Sequence, residues 1–393
     1  MGETLARAVF TLRRDMGYTG RTMNDITFDD IGPQRIYHFF EPRSAMRAVL
    51  VVDHTQFRNA AGGVRMLPDI SLGEMALLAR AMTYKFAWLD LNVAGAKAGI
   101  WFDPAGQDRE AVLRAFGQAA APLLQSRAYM CGVDMGTSFE DIGAIRAAAG
   151  LEPETESLAN KRVGGLTMDE LVTGYGVIKS ARRAAELAGL RLDECTLAIE
   201  GFGKVGAGCL RQAVAEGLRV VAISTLAGTR YDKRGLDAQR LFDLREECGD
   251  EAVVRYPQGE LLPKEALYLL PADVLIPGSR THTIAADVAR TIAARLIVPA
   301  ANVPLTPEAD AILYQRGVTV VPDFVANAGG VLLAVVATMG GGEKEAFAVT
   351  EQRIVANTER ALVEARAREM SPLQAATAIA KEWLARKAQE RAA

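Results

Sequence analysis

Between Cys195 and Ile223 the chain runs apolar strand, glycine turn, helix and apolar strand, an order that few architectures admit. Cys195-Thr196-Leu197-Ala198-Ile199-Glu200 is short and apolar, Gly201-Phe202-Gly203-Lys204-Val205-Gly206 follows at once, and a helical stretch to Glu216 leads into Arg219-Val220-Val221-Ala222-Ile223. In that setting each glycine of a GxGxxG has a task. The first turns the chain, the second leaves room for a pyrophosphate, and the third lets the helix pack on the strand. The helix N-terminus then aims its unpaired N–H groups at the phosphates. Gly201, Phe202, Gly203, Lys204, Val205 and Gly206 are therefore the candidate dinucleotide-binding turn. A glycine turn without a ligand is the competing reading, and the strand on either side weighs against it. The carboxylate expected after the second strand, where an adenosine ribose binds, is absent. Ser224 and Thr225 stand there, with Arg230 a few residues on. Losing the carboxylate removes repulsion toward a 2′-phosphate, and an arginine can pair with one. NAD and NADP are both compatible.

The rest of the chain supplies the surrounding layers. Short β-branched segments bounded by Pro or Gly recur at Asp273 to Ile276, Leu296 to Pro299 and Val318 to Val321, as in buried parallel strands. Upstream, Ala48 to Val52 reads as a strand. Ser71, with Glu74 three residues on, caps a helix to Leu89. A glycine-rich crossing from Ala94 to Ile100, a helix from Arg109 to Leu124 and a strand from Ala128 to Val133 complete a separate α/β layer. Composition turns polar from Glu152 to Leu166, around Pro153 and Gly164-Gly165, which places a domain boundary there. The 393 residues suffice for two or three domains. The expected division is an N-terminal substrate and oligomerisation domain (1–155), a dinucleotide-binding domain (156–350), and C-terminal helices (351–393) packing back toward the first. Ser371-Pro372-Leu373-Gln374 opens the last helix.

Several classes are excluded. With 45 basic and 48 acidic side chains the net charge is −3, which offers no electrostatic footprint for nucleic acid. No apolar run approaches the roughly 18 residues of a membrane span. The first fifteen residues carry Glu3, Arg7, Arg13 and Arg14 and no apolar core, so they do not read as a signal peptide, and a cytoplasmic location is expected. Cys131, Cys195, Cys209 and Cys248 form no CxxC and read as reduced thiols. With only His38, His54 and His282, and no HExxH or GxSxG, neither a metal site nor a serine hydrolase is expected.

Two lysines carry chemical interest. Lys97 is flanked by Gly95, Ala96, Ala98 and Gly99, which deny it shielding side chains and let a ligand approach. A lysine in a tight apolar pocket near a second cation has its pKa pushed down and can serve as a base. Lys85, in Met82-Thr83-Tyr84-Lys85, is the second cation. A surface lysine on a loop is the plain alternative for Lys97 alone.

Taken together, the motifs resemble the glutamate/leucine/phenylalanine/valine dehydrogenase family over roughly residues 30 to 385. The resemblance rests on Gly62-Gly63-Val64-Arg65, Met82-Thr83-Tyr84-Lys85, Gly95-Ala96-Lys97-Ala98-Gly99-Ile100 and Val133-Asp134-Met135-Gly136-Thr137. It continues through Thr173-Gly174-Tyr175-Gly176-Val177, the glycine turn, Ala301-Asn302-Val303-Pro304, and Pro322-Asp323 to Asn327-Ala328-Gly329-Gly330-Val331. It implies an N-terminal α/β substrate domain, a C-terminal Rossmann-type doubly wound domain and a cleft between them. It also implies reversible oxidative deamination of an L-amino acid to a 2-oxo acid and ammonia with NAD or NADP, without a metal, in a homo-oligomer. Lys85 would hold the substrate α-carboxylate, Lys97 would activate water, and Asp134 would shuttle protons at nitrogen. Gly63 would lie at the substrate, and Thr173, Asn302 and Asn327 near the nicotinamide.

In glutamate-specific members a lysine and a serine hold the side-chain carboxylate, and those positions are Ala61 and Ala334 here. Burying a carboxylate against two alanines without a partner costs several kcal/mol. An apolar substrate such as leucine, valine or phenylalanine is therefore expected, with glutamate as the alternative. Leu67 to Leu72 and Trp101 to Pro104 look more glutamate-like. Ala94 and Ala98 depart from the family's usual glycines, each adding a methyl expected near the base. A dinucleotide-sensing protein without turnover is the reading from another class, and the retained Lys85, Lys97 and Asp134 oppose it.

Overall fold

The computed structural model describes residues 26–153 and 157–392. The segment read against a signal peptide lies outside the described residues. Contacts divide the chain into two compact units, one ending at Ser157 and including Ala380 onward, the other Leu158–Ile379.

In the first unit five strands form a mixed sheet: β1 (Arg35–Glu41), β2 (Met46–Val52), β3 (Ala60–Met66), β4 (Ala94–Ile100) and β5 (Tyr129–Val133), in the order β1-β2-β4-β3-β5. β3 runs parallel to β4 and β5, and β2 antiparallel to β1 and β4. Because side chains alternate across a strand, the even-numbered residues of β2, β3 and β4 share one face. Leu50, Val64, Ala96, Ala98 and Ile100 pack there against Val112, Phe116 and Leu124 of α2 (Arg109–Gln125). The odd-numbered face receives α1 (Leu72–Trp88), whose N-cap Ser71 accepts the Glu74 N–H at 3.1 Å.

Packing on that odd face corrects one expectation. Gly95 and Gly99 flank Lys97 on its own face, yet they do not admit a ligand. A Cβ at Gly95 would lie 2.0 Å from the Ala79 carbonyl oxygen, and one at Gly99 would lie 2.5 Å from Ile70 Cδ1. These glycines let α1 and the chain leading into it lie against β4. Ala94 and Ala98 sit on the opposite face within the apolar cluster, so their extra methyls fill the core and do not crowd the base.

The second unit is built on a seven-stranded sheet, β11-β10-β9-β8-β12-β13-β14. Its strands are β8 (Thr196–Glu200), β9 (Arg219–Thr225), β10 (Gly228–Tyr231), β11 (Glu260–Leu262), β12 (Val274–Ile276), β13 (Leu296–Ile297) and β14 (Thr319–Val320). β9, β8, β12, β13 and β14 are parallel, and β10 and β11 add an antiparallel edge. A small hairpin, β6 (Arg162–Val163) and β7 (Leu166–Thr167), leads into α3 (Met168–Leu187) through a capping box in which Thr167 accepts the Glu170 N–H. Gly174 lets α3 meet α4 (Lys204–Ala215) closely, since a Cβ there would fall 2.1 Å from the Gly208 carbonyl carbon. The parallel Rossmann-like sheet is the one expected from the strand-turn-helix-strand order.

Candidate active site

Lys97 lies mid-strand in β4 and is only 3% exposed. It is a buried strand residue, not a loop lysine. Its Nζ is 3.0 Å from Asp134 Oδ1, while Arg65 Nε donates to Asp134 Oδ2 at 2.6 Å. Arg65 Nη1 in turn donates to Glu74 Oε1 at 2.8 Å. The turn carrying Asp134 is tied down as well. The Asp134 N–H donates to Thr137 Oγ1 at 2.9 Å, and that hydroxyl donates to the Val64 carbonyl at 2.8 Å.

Gly63 shares the face of Arg65 and borders this cluster. A Cβ there would sit 3.3 Å from Lys97 Nζ and 2.8 Å from Asp134 Cβ. Its nearest neighbour would be the Val133 carbonyl oxygen at 2.7 Å, so Gly63 lets β3 lie against β5 and leaves Lys97 and Asp134 uncrowded. Ala61, paired with Gly95 across β3 and β4, is half-buried two residues before it on the same face. Lys85 is buried in the last turn of α1, the helix packed on that face.

Electrostatics separate the roles of the pair. Burial pushes the Lys97 ammonium down, Asp134 pulls it back up, the Arg65 cation pushes it down again, and the net shift is downward. Burial pushes the Asp134 carboxyl up, but Lys97 and Arg65 together outweigh it and hold it well below the usual carboxylate range. Asp134 therefore stays ionised, and Lys97 is the member that gives up its proton as pH rises. Motif reading left Arg65 without a role and gave Glu74 only the cap of α1, whereas the Glu74 carboxylate accepts from Arg65. A charged residue in strand alternation with Gly63 was the signal for Arg65.

In the second unit the glycine turn meets each demand of a dinucleotide. Gly201 has φ +83°, a left-handed conformation that glycine adopts freely. A Cβ at Gly206 would fall 1.9 Å from the Gly201 carbonyl oxygen, whereas one at Gly203 meets nothing within 4 Å. Gly203 is the N-cap of α4 and supplies no side-chain cap bond, so the first N–H groups of the helix face the open side of the turn. Lys204 is exposed and Val205 half-buried in the first helical turn. Phe202 is buried against Phe242, with ring centroids 5.8 Å apart, so only its backbone borders the turn.

At the end of β9, Ser224 is buried with its Oγ unpartnered among the described residues. Thr225 Oγ1 donates to the Asp250 carbonyl at 2.7 Å. Arg230 corrects the expectation of a phosphate partner. Its Nε donates to the Val253 carbonyl at 2.7 Å and its Nη2 to the Val254 carbonyl at 2.8 Å, so the buried guanidinium stitches β10 to the short helix Ala252–Arg255.

Asn302, Asn327 and Thr173 come together beyond the parallel strands. Asn327 Nδ2 donates to Asn302 Oδ1 at 3.1 Å and to the Ala301 carbonyl at 3.1 Å, and its buried Oδ1 has no partner among the described residues. A Cβ on Gly330 would lie 3.3 Å from Thr173 Oγ1. Val303, next to Asn302, has φ +53°, a strained conformation for a β-branched residue, and its N–H donates to Asp323 Oδ2 at 2.8 Å. Ala334 is exposed on α5 (Gly329–Thr338). The open Gly203 and the two unpartnered oxygens, of Ser224 and Asn327, fit a dinucleotide.

Residues 41–149 match the Glu/Leu/Phe/Val dehydrogenase dimerisation domain, and residues 164–391 match the Glutamate/Leucine/Phenylalanine/Valine dehydrogenase family. The chain belongs to this dehydrogenase family. It is 34% identical over 301 residues to a glutamate dehydrogenase of Thermotoga maritima, covering 72% of this chain and 70% of that protein. It is 30% identical over 313 residues to the NADP-specific glutamate dehydrogenase A1 of Halobacterium salinarum, covering 77% and 74%. Among solved structures it resembles the hetero-hexameric glutamate dehydrogenase from Thermus thermophilus in its Leu-bound form. The TM-score is 0.81 at 26% identity, over 99% of this chain and 95% of that one. No described helix is long and apolar enough to cross a membrane.

Proposed function

We propose that this family member catalyses the reversible NAD(P)-dependent oxidative deamination of an L-amino acid to the 2-oxo acid and ammonia. The observation that carries the reading is the buried Lys97–Asp134 pair, bordered by Gly63 and held by Arg65. A nicotinamide held by the second unit supplies the acceptor for the hydride leaving the substrate Cα. Lys85 holds the α-carboxylate. Lys97, in its neutral form, takes a proton from the water that attacks the resulting iminium carbon. Asp134, kept ionised, accepts and returns protons at the substrate nitrogen. The products are the 2-oxo acid, ammonium, reduced cofactor and one proton. On the same reading the enzyme acts in the cytoplasm as a homo-oligomer.

Glutamate is the substrate that the relatives favour, since the proteins from Thermotoga, Halobacterium and Thermus all carry it in their names. The apolar substrate expected from the sequence stands second. Ala61 and Ala334 favour it, because neither supplies a cation or hydroxyl to a side-chain carboxylate.

The deciding experiment follows absorbance at 340 nm with a panel of L-amino acids against NAD and NADP. Turnover of glutamate alone supports the first substrate reading, and turnover of leucine, valine or phenylalanine without glutamate supports the second. Dinucleotide binding with silence across the panel overturns the enzyme and favours a sensing protein. If the alanines exclude glutamate, Ala61→Lys with Ala334→Ser raises glutamate activity relative to leucine by about tenfold or more, the ~1.4 kcal/mol of one buried charge-assisted bond. An unchanged ratio of kcat/KM removes the alanine argument.

A further inference from the structure

Four ionisable side chains meet on the odd-numbered face of the first sheet, and the proposed reaction uses two of them. Lys97 comes from β4, Asp134 from the turn after β5, Arg65 from β3 and Glu74 from the first turn of α1. Arg65 and Glu74 are nearly sealed from solvent, with side chains 5% and 2% exposed. A buried guanidinium and a buried carboxylate are costly to retain unless their geometry does something that an apolar pair cannot.

The geometry divides Asp134. Its Oδ2 is taken by Arg65 Nε at 2.6 Å, which leaves Oδ1 to Lys97 at 3.0 Å. The opposite end of the guanidinium is held by Glu74 at 2.8 Å, so Arg65 cannot swing toward Lys97 or away from Asp134. The four charges cancel when Lys97 is protonated. Removing Arg65 leaves an excess negative charge around Lys97, and removing Glu74 leaves an excess positive one.

We propose that Arg65 and Glu74 are positioning residues for the deamination, Arg65 fixing which oxygen of Asp134 serves Lys97 and Glu74 anchoring Arg65. This rests on the reading of Lys97 as the base. The electrostatics around Lys97 agree in sign: Arg65 pushes its pKa down and Glu74 pushes it up. The two residues therefore act on the base in opposite directions.

The test is the pH profile of kcat/KM for the wild type, Arg65→Gln, Arg65→Lys and Glu74→Gln. Activity needs neutral Lys97, so it rises with pH through the lysine pKa. Arg65→Gln moves that acidic limb to higher pH and Glu74→Gln moves it to lower pH, each by about one pH unit. Arg65→Lys keeps the limb near the wild-type position and lowers kcat about tenfold, because an ammonium cannot make the two-ended fork. Shifts in the same direction, or lost activity with no shift, overturn the proposal. If Arg65→Gln fails to fold, Glu74→Gln decides alone, and an unmoved or raised limb overturns it. If the wild type turns over no amino acid, the reaction reading fails separately. The inference is then read from the pH dependence of Lys97 acetylation by acetic anhydride, followed by peptide mass spectrometry. Opposite shifts in that midpoint support it, and equal or absent shifts overturn it.

Discussion

Lys97→Ala is expected to abolish amino-acid oxidation while leaving dinucleotide affinity within about twofold of wild type. Removing a positioned general base costs on the order of 10²–10⁴ in rate. Lys97 belongs to the first unit, whereas the glycine turn Gly201 to Gly206 belongs to the second, so the defect falls on kcat and not on cofactor binding. The fold is expected to survive, because Asp134 keeps its Arg65 partner at 2.6 Å when the lysine is gone. Steady-state kinetics with the best substrate, beside a fluorescence titration with NADH and NADPH, check both halves. More than a few per cent of wild-type kcat would show that Lys97 is not the base. The wild-type pH profile carries the same information. Burial and Arg65 lower the Lys97 pKa, so the acidic limb of kcat/KM lies below the pH at which an ordinary lysine loses its proton.

Gly203→Ala and Gly206→Ala are expected to weaken dinucleotide binding for different reasons. At Gly203 an added methyl meets no protein atom within 4 Å, and the backbone, at φ −76° and ψ −151°, is open to alanine. Only a ligand lying against the turn feels that methyl. Gly203→Ala should therefore cost tenfold or more in cofactor affinity, about 1.4 kcal/mol. Its effect on unfolding should be limited to about 1 kcal/mol at the helix cap. At Gly206 the methyl would sit 1.9 Å from the Gly201 carbonyl oxygen. The turn must open, so affinity falls further and the melting temperature falls with it. Calorimetric titration and thermal unfolding of both variants separate the two. Unchanged affinity in Gly203→Ala would remove the pyrophosphate from this turn.

Much of this was legible because it is local. The strand, three glycines and helix from Cys195 to Glu216 are contiguous, and Gly206 answers a steric demand set by Gly201 five residues before it. The helix capped by Ser71 follows from the same short-range chemistry, in which an N-cap oxygen meets an N–H three residues on. The edge strand β1 (Arg35–Glu41) was missed. Its outward-facing residues are exposed or half-buried, and so it lacks the continuous apolar run that marked β2.

The sequence by itself determined the α/β class and the strand-glycine-helix turn, each from residue identity and short spacing, and the family resemblance singled out Lys97 and Asp134. Only the tertiary structure decided what fills the space opposite each glycine and which partner each charge finds. Gly95 and Gly99 make room for α1 and the chain leading into it, while Gly63 on the same face borders Lys97 and Asp134, because the packing of α1 and β5 decides what lies over each. Arg230 is bound to backbone carbonyls 23 and 24 residues away, and Arg65 meets Asp134 across 69 residues. A guanidinium buried on folding must find acceptors wherever the register of distant strands puts them. That register is set by the packing of the whole sheet.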